Sequence, residues 1–356
     1  MSKNTYTISV IPGDGIGKEV VPAGLRVLDA VSQLHGFKLQ YKHYDWSCET
    51  YKATGKMMPD DGIDRLRDSD AIFLGAVGFP GVPDHISLWN LLIPIRREFD
   101  QYVNLRPVRL LPGVPCPLAN AHERKINFWI VRENTEGEYS QVGGRMFAGT
   151  EHEFVTQEAI FTRRGTDRIL RYAFDLAKRL DRKHVTSATK SNGIYHSMPF
   201  WDERFAAMSV HYPDIATDQY HIDILAARFV MSPERFDVVV GSNLFGDILS
   251  DLGPGVTGTI AVAPSANINP ERKYPSMFEP VHGSAPDIAG QGIANPIGQI
   301  WSAAMMLEHV GEDQAAATIM QAIEAALSAS DRQVTPDLGG RASTDAFTAQ
   351  ILSHVK

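Results

Sequence analysis

Two cysteines in 356 residues, Cys48 and Cys116, stand in unrelated contexts, so neither a disulfide framework nor a thiolate metal site is expected. Long apolar runs are missing as well. No stretch approaches the roughly 18 residues of a membrane span, and strand-like sequence begins almost at once in "MSKNTYTISVIPGDG", leaving no room for a secretory leader. A membrane is therefore not an expected partner, and the cytoplasm is the expected compartment. Positive charge is in deficit, with 34 Lys+Arg against 42 Asp+Glu and a net charge of −8. A nucleic-acid binder normally carries a basic stripe, so no nucleic acid is expected either, although a local basic pocket is compatible with the balance. There is no internal repeat and no low-complexity tract. What remains, 44% hydrophobic and 21% charged residues, is ordinary globular composition. The length suffices for two lobes or one large α/β unit.

Strand-like and helix-like runs alternate from the start: "YTISVIP", "GKEVVPAGLRVLDAVSQLH", "FKLQYKHY", "DDGIDRLRDS", "AIFLGAVG". That rhythm predicts βαβ units and a mainly parallel central sheet. Residues 126–162 alternate every second residue without intervening helices, which predicts an antiparallel region. The C-terminal third returns to helices. Two Pro/Gly-dense pieces, "LRPVRLLPGVPCPLAN" and "GPGVTGTIAVAPSANINPERKYPS", read as crossings between lobes. They predict a large discontinuous domain, 1–103 plus 258–356, with 104–257 inserted as a smaller α/β domain.

The loop "IPGDGIGKEV" follows a strand and opens a helix, as a dinucleotide fingerprint does, but its spacing fails. Glycines stand at 13, 15 and 17, Lys18 occupies the place of the last one, and no acidic residue closes a second strand about 20 residues on. A tight turn needing positive φ is the better reading.

In "FDVVVGSNLFGDILSDLGPG", residues 236–255, a buried strand turns into a short helix that is expected to stop at Gly253-Pro254. Asp247 and Asp251 lie four apart on it, share a face and repel by a few tenths of a kcal/mol, about what like charges cost at that spacing. Either they face water or a cation lies between them. Arg96, Arg97, Arg106 and Arg109 crowd "IPIRREFDQYVNLRPVRLLPG", and Arg132 ends the strand of "FWIVRENTEGEY", with Tyr139 seven residues on. Arginine's planar fork grips carboxylates with two hydrogen bonds, so these strand and helix ends suit a dicarboxylate. Lys190 follows another apolar strand, where an electropositive setting favours its use as a base. Asp223 by itself reads as a helix-surface carboxylate.

The blocks "IPGDGIGKEV", "FDQYVNLRPVRLLPG", "VRENTEGEY", "ATKSNG", "NLFGDILSD" and "FEPVHGSAPDIAGQGIANP" occur in order over nearly the whole chain. Together they resemble the β-decarboxylating 2-hydroxyacid dehydrogenases, the family of isocitrate, isopropylmalate, homoisocitrate and tartrate/D-malate dehydrogenases. The resemblance implies a two-lobed α/β fold that is not a Rossmann fold, and a homodimer whose active site is shared across the interface. It matches Arg96, Arg106 and Arg132 to the arginines that bind the substrate carboxylates, Tyr139 to the proton donor and Lys190 to a lysine given by the neighbouring subunit. Asp223 from that neighbour, with Asp247 and Asp251, matches the carboxylates holding a divalent metal, Mn²⁺ or Mg²⁺, which would answer the stacked pair. The need for a monovalent cation such as K⁺ is left open.

For the cofactor the resemblance implies NAD, held by the segment His282, Gly283, Ser284, Ala285, Asp287, Ile288 and Asn295, with the nicotinamide near Gly75 to Gly78. His282 and Asn295 are matched to the adenine side. Asp287 beside the adenosine ribose would accept hydrogen bonds from its hydroxyls and repel a 2′-phosphate, so NAD is expected over NADP. The implied reaction is metal-assisted oxidation of a small D-2-hydroxy diacid followed by loss of CO₂. The groove for the C3 substituent is assigned to Trp89, Leu92 and Ile93, counting back from Arg96. Trp89 fills space that an isopropyl or carboxymethyl group would need, which favours the tartrate/D-malate branch: D-malate to pyruvate and CO₂, with tartrate turnover alongside. The alternatives are 3-isopropylmalate dehydrogenation and a non-catalytic regulatory subunit. Such subunits typically lose catalytic or metal residues, whereas Lys190, Tyr139, Asp223, Asp247 and Asp251 are all present.

Overall fold

The structure, a computed structural model, describes residues 4–356, His122 by its backbone only. The first stretch runs β1 (Thr5–Gly13), α1 (Gly17–His35), β2 (Lys38–His43), α2 (Cys48–Thr54), α3 (Gly62–Arg67), β3 (Ala71–Ala76), α4 (Asp84–Ser87), one π turn (Leu88–Leu92) and α5 (Ile93–Glu98). Next come β4 (Val103–Arg109), β5 (Asn127–Glu133), β6 (Gly143–Met146), β7 (Phe154–Gln157), α6 (Arg163–Arg179) and β8 (His184–Thr189). They are followed by α7 (Ser197–Ser209), β9 (Ala216–His221), α8 (Ile222–Met231), β10 (Val238–Gly241) and α9 (Asn243–Thr257). The chain closes with β11 (Pro264–Ile268), β12 (Ser276–Pro280), α10 (Ile297–Val310), α11 (Asp313–Ser328) and α12 (Thr344–Ser353).

These elements form two compact α/β units. One holds the chain up to Gln101, Arg109–Arg124 and Pro254–Lys356; the other holds Tyr102–Val108 and Lys125–Gly253. Residues 109–124, expected in the inserted domain, pack with the first unit. Arg109 pairs with Glu324, the Cys116 thiol donates to the Val256 carbonyl and Arg332 donates to the Gly113 carbonyl.

In the first unit the strand order is β2-β1-β3-β12-β11, parallel except for the β11–β12 pair. Both faces of β3 are covered, which is why "AIFLGA" reads as an unbroken apolar run. Ile72 and Leu74 join a cluster with Trp46, Leu66, Leu91, Ile95 and Phe99. Residues 297–307 of α10 are buried throughout, because this helix packs against α1, α11 and β12. A helix apolar all round belongs inside a layer rather than on it.

The second unit has the order β4-β5-β10-β8-β9, with β5, β10, β8 and β9 parallel. Helix α6 packs against β5, β8 and β10. Residues 126–162 are thus only partly antiparallel. The β6–β7 hairpin is, but β5 joins the parallel sheet. Helix α9 also runs past its expected stop, through Gly253 and Pro254 to Thr257. Gly253 is a contact point instead. A Cβ there would lie 2.4 Å from Val108 on β4, and one on Gly246, two turns earlier, 2.5 Å from Arg132 on β5. Two glycines on one face let α9 lie directly on the strands that carry the arginines.

Candidate active site

In the second unit, Arg106 on β4 and Arg132 at the end of β5 converge on the flank of α9. Arg106 donates from Nε to Asn104 Oδ1 (2.9 Å) and from Nη1 to Asp251 Oδ1 (2.9 Å). Its Nη2 lies 3.9 Å from Asp247. Arg132, only 3% exposed, donates to Asn243 Oδ1 from both Nε (3.0 Å) and Nη2 (2.7 Å), and from Nη1 to Asp247. Tyr139 donates its hydroxyl to the other Asp247 oxygen (2.6 Å), while the Arg132 guanidinium lies over its ring. Five predicted residues, Arg106, Arg132, Tyr139, Asp247 and Asp251, therefore form one connected cluster.

Lys190 and Asp223 form a pair of their own. Lys190 Nζ donates to Asp223 at 2.8 Å, and this bond holds the Asp223 carboxyl below the usual range. Among the described residues no group of three or more His, Cys, Asp or Glu side chains is placed to hold a metal ion. Asp247 and Asp251 together offer hard oxygen donors of the kind that Mg²⁺ and Mn²⁺ prefer.

In the first unit, Arg96 on α5 donates to Glu279 Oε1 (2.9 Å), which also accepts from Asn267 (2.7 Å). Both side chains of the ion pair are nearly inaccessible, and Arg96 Nε is buried without a partner. Ile93 is buried, Leu92 packs against the Leu91–Phe99 cluster, and Trp89 stays half-buried.

The proposed cofactor segment belongs to the same unit. His282 is buried, and its Nδ1 faces the Gly283 carbonyl at 3.0 Å, so Nδ1 carries the proton. Burial lowers its pKa and keeps the ring neutral. Nε2 is then a bare acceptor, buried with no partner, which fits an amine donor such as that of adenine. Ala285 takes φ 41°, and the turn 285–289 packs Ala285, Ile288 and Ala289 on Ile16, Val20 and Ala294. Gly283 and Asp287 are exposed. Asn295 is already engaged, donating to Asp337 (2.9 Å) and accepting from the Ile297 N–H (3.0 Å). The glycine loop supports this segment. Gly13 and Gly15 have φ 71° and 52°, and the Ile16 N–H donates to the Ser284 carbonyl at 2.9 Å.

Residues 7–355 match the isocitrate/isopropylmalate dehydrogenase family. The chain belongs to this family. It is 60% identical over 359 residues to a tartrate dehydrogenase/decarboxylase of Pseudomonas putida, covering 99% of this chain and 98% of that one. It is 62% identical to the D-malate dehydrogenase (decarboxylating) of Escherichia coli K12, covering 96% of each. Among solved structures, isocitrate dehydrogenase from Methylococcus capsulatus superposes with a TM-score of 0.89 at 36% identity, over 98% of this chain and 99% of that one.

The electrostatics of this family member follow from burial. Desolvation, then the bond to Asp247, pushes the Tyr139 phenol up to about 12, so it holds its proton at neutral pH. Desolvation and the neighbouring Asp247 raise the Asp251 carboxyl against the pull of Arg106; with more than half of its side chain exposed, solvent screens much of this.

Several further residues shape the site; they stand within the sequence blocks quoted above, which assign them no role. Asn243 is the shared acceptor of Arg132 and donates to the Glu136 carbonyl (2.9 Å). Glu138 accepts from Ser242 Oγ (2.7 Å) and the Leu244 N–H (3.1 Å), capping α9. Glu136 accepts from the Thr162 N–H and hydroxyl at the start of α6. Glu133, buried, accepts from Thr135 and the Glu136 N–H, and burial pushes it up to about 7. The one available signal was the density of acids in "ENTEGE" directly after a strand.

Proposed function

We propose that the protein is a cytoplasmic, NAD-dependent and divalent-metal-dependent enzyme that oxidises and decarboxylates a small D-2-hydroxy diacid, D-malate to pyruvate and CO₂, with tartrates as further substrates. One observation carries the reading: two buried arginines and a protonated tyrosine gathered on two carboxylates of one helix. Arg106 and Arg132 bind the carboxylates of the diacid, while Asp247 and Asp251 hold the metal. A divalent metal held by these carboxylates would supply Lewis-acid stabilisation of charge on the 2-oxygen, and NAD would supply the hydride acceptor. Lys190 accepts the proton of the 2-hydroxyl, and Tyr139 returns a proton to the carbon that has lost CO₂. The open acceptor of His282 and the exposed carboxylate of Asp287 favour an adenine and an unphosphorylated ribose.

Lys190 and Asp223 complete the site from a second copy. Supporting a homodimer, the second unit exposes Met146, Phe147, Phe154 and Val155 on its hairpin and Ile224, Val230 and Met231 on α8. The test is a substrate panel with purified protein, NAD and Mn²⁺, with and without chelator. A clear kcat/KM preference for D-malate over 3-isopropylmalate, abolished by chelation, is expected. Preference for 3-isopropylmalate, or turnover unaffected by chelation, refutes the reading.

A further inference from the structure

The π turn Leu88–Leu92 sits directly before α5 and its arginines. Such turns are rare and are frequently found at functional sites. Eight residues separate Trp89 from Arg97. In an unbroken α-helix that is about 2.2 turns and leaves the two side chains roughly 80° apart. The extra residue absorbed by the wide turn brings them into line, and the Arg97 guanidinium lies over the Trp89 ring, 5.0 Å from its centroid. Arg96, one step or about 100° round the helix, is turned into the Glu279 pair instead. Of the three side chains assigned to the C3 groove, Ile93 is buried and Leu92 is committed to the core cluster. Trp89 is the one left half-buried, so its position depends on what lies on its face.

We propose that Arg97 is a specificity-determining positioning residue. Stacked on Trp89, it fixes the position of the indole and confines the site to diacids bearing hydrogen or hydroxyl at C3. This rests on the small-diacid reading above. The π turn supplies the alignment, Arg97 the restraint and Trp89 the steric block.

The experiment compares kcat/KM for D-malate and 3-isopropylmalate, with NAD and Mn²⁺, in the unaltered protein, Arg97→Leu, Arg97→Lys, Trp89→Leu and the double variant Trp89→Leu/Arg97→Leu. Arg97→Leu should move the ratio at least fivefold toward 3-isopropylmalate, mostly through the KM values of the diacids, with KM for NAD unmoved. Arg97→Lys, which keeps a cation over the ring, should stay within about twofold of the unaltered ratio. In the Trp89→Leu background, removing Arg97 should change the ratio no further. A ratio unmoved in Arg97→Leu, equal losses on both substrates, or a full shift persisting without Trp89 overturns the inference. If Arg97→Leu does not fold, an Arg97→Lys ratio displaced as far as that of Trp89→Leu overturns it, and one within twofold supports it. A D-malate preference in the unaltered protein with an unmoved ratio defeats the role of Arg97 alone; no D-malate turnover at all defeats both readings.

Discussion

Asn243→Ala isolates the orientation of Arg132. The amide oxygen of Asn243 is the common acceptor of Arg132 Nε and Nη2, at 3.0 and 2.7 Å, and its nitrogen donates to the Glu136 carbonyl. The guanidinium is almost wholly buried, so water does not readily replace what is removed. A buried donor deprived of its acceptor costs about 1–3 kcal/mol. With two donors sharing one acceptor and the bond to Asp247 retained, about 2–3 kcal/mol is a reasonable loss of positioning energy. At about 1.4 kcal/mol per decade, kcat/KM for D-malate should fall roughly 30- to 150-fold, with KM for NAD unchanged. Asn243→Asp keeps the acceptor but loses the donor and adds charge beside Asp247, so its loss should be smaller. Initial rates over a D-malate series, with urea unfolding as the control for folding, decide it. Folded Asn243→Ala protein with kcat/KM within threefold of the unaltered enzyme refutes the positioning role.

Glu133 gives a pH signature. Its folded pKa, about 7, lies above the ordinary value of 4.5, so its contribution to stability is intact below about pH 4.5 and is lost as pH rises through 7. Glu133→Gln should therefore gain on the unaltered protein between pH 5 and pH 8, by at most about 3 kcal/mol, read from urea midpoints; a constant difference contradicts the assignment. Asp287→Lys should erode the preference for NAD over NADP by tenfold or more, measured as the ratio of kcat/KM for the two cofactors, and unchanged discrimination removes Asp287 from the ribose site. Lys190→Met and Tyr139→Phe should each lose nearly all turnover but regain part of it when mixed, unfolded and refolded together. No recovery, with dimers present, argues against a site built from two copies.

Much of the first unit was legible because β3 and β12 are buried along their whole length and α10 over most of its own. "AIFLGA" and the α10 sequence announce burial by composition alone. The strand β11, "PSANI", does not. It holds a single β-branched residue and a leading proline, and becomes a strand through pairing with β12. The proline of α9 misled for a similar reason. Pro254 removes one helical hydrogen bond, a real local cost, but the approach of Gly246 and Gly253 to β5 and β4 keeps the helix going. In the site, Arg106 meets Asp251 across 145 positions and Arg132 meets Asn243 across 111. No periodicity encodes such pairs. The resemblance to a family singled out the arginines and acids, whereas Asn243 and Glu138 stood inside the same blocks without a role, because each acts through a neighbouring group.

The charge of the α9 cluster is zero by construction: Arg106 and Arg132 against Asp247 and Asp251. On the proposed function, a divalent cation and a dicarboxylate would add two charges of each sign and leave the sum at zero, so that the cluster is balanced both empty and loaded. Arginines and aspartates that neutralise each other before substrate arrives can exchange partners afterwards without stranding a buried charge, the costly outcome when one member of a pair is removed. This arrangement predicts coupling. Arg106→Gln and Asp251→Asn should each lower the urea midpoint of the metal-free protein, and the double variant should recover most of the loss. Since Asp251 is more than half exposed, the coupling energy should be about 1 kcal/mol rather than the several expected of a fully buried pair. Turnover should be lost in all three, because neutrality alone does not bind a diacid or a metal. Additive effects in the double-mutant cycle would mean that the pair carries no mutual stabilisation and that the balance of charge around α9 is incidental.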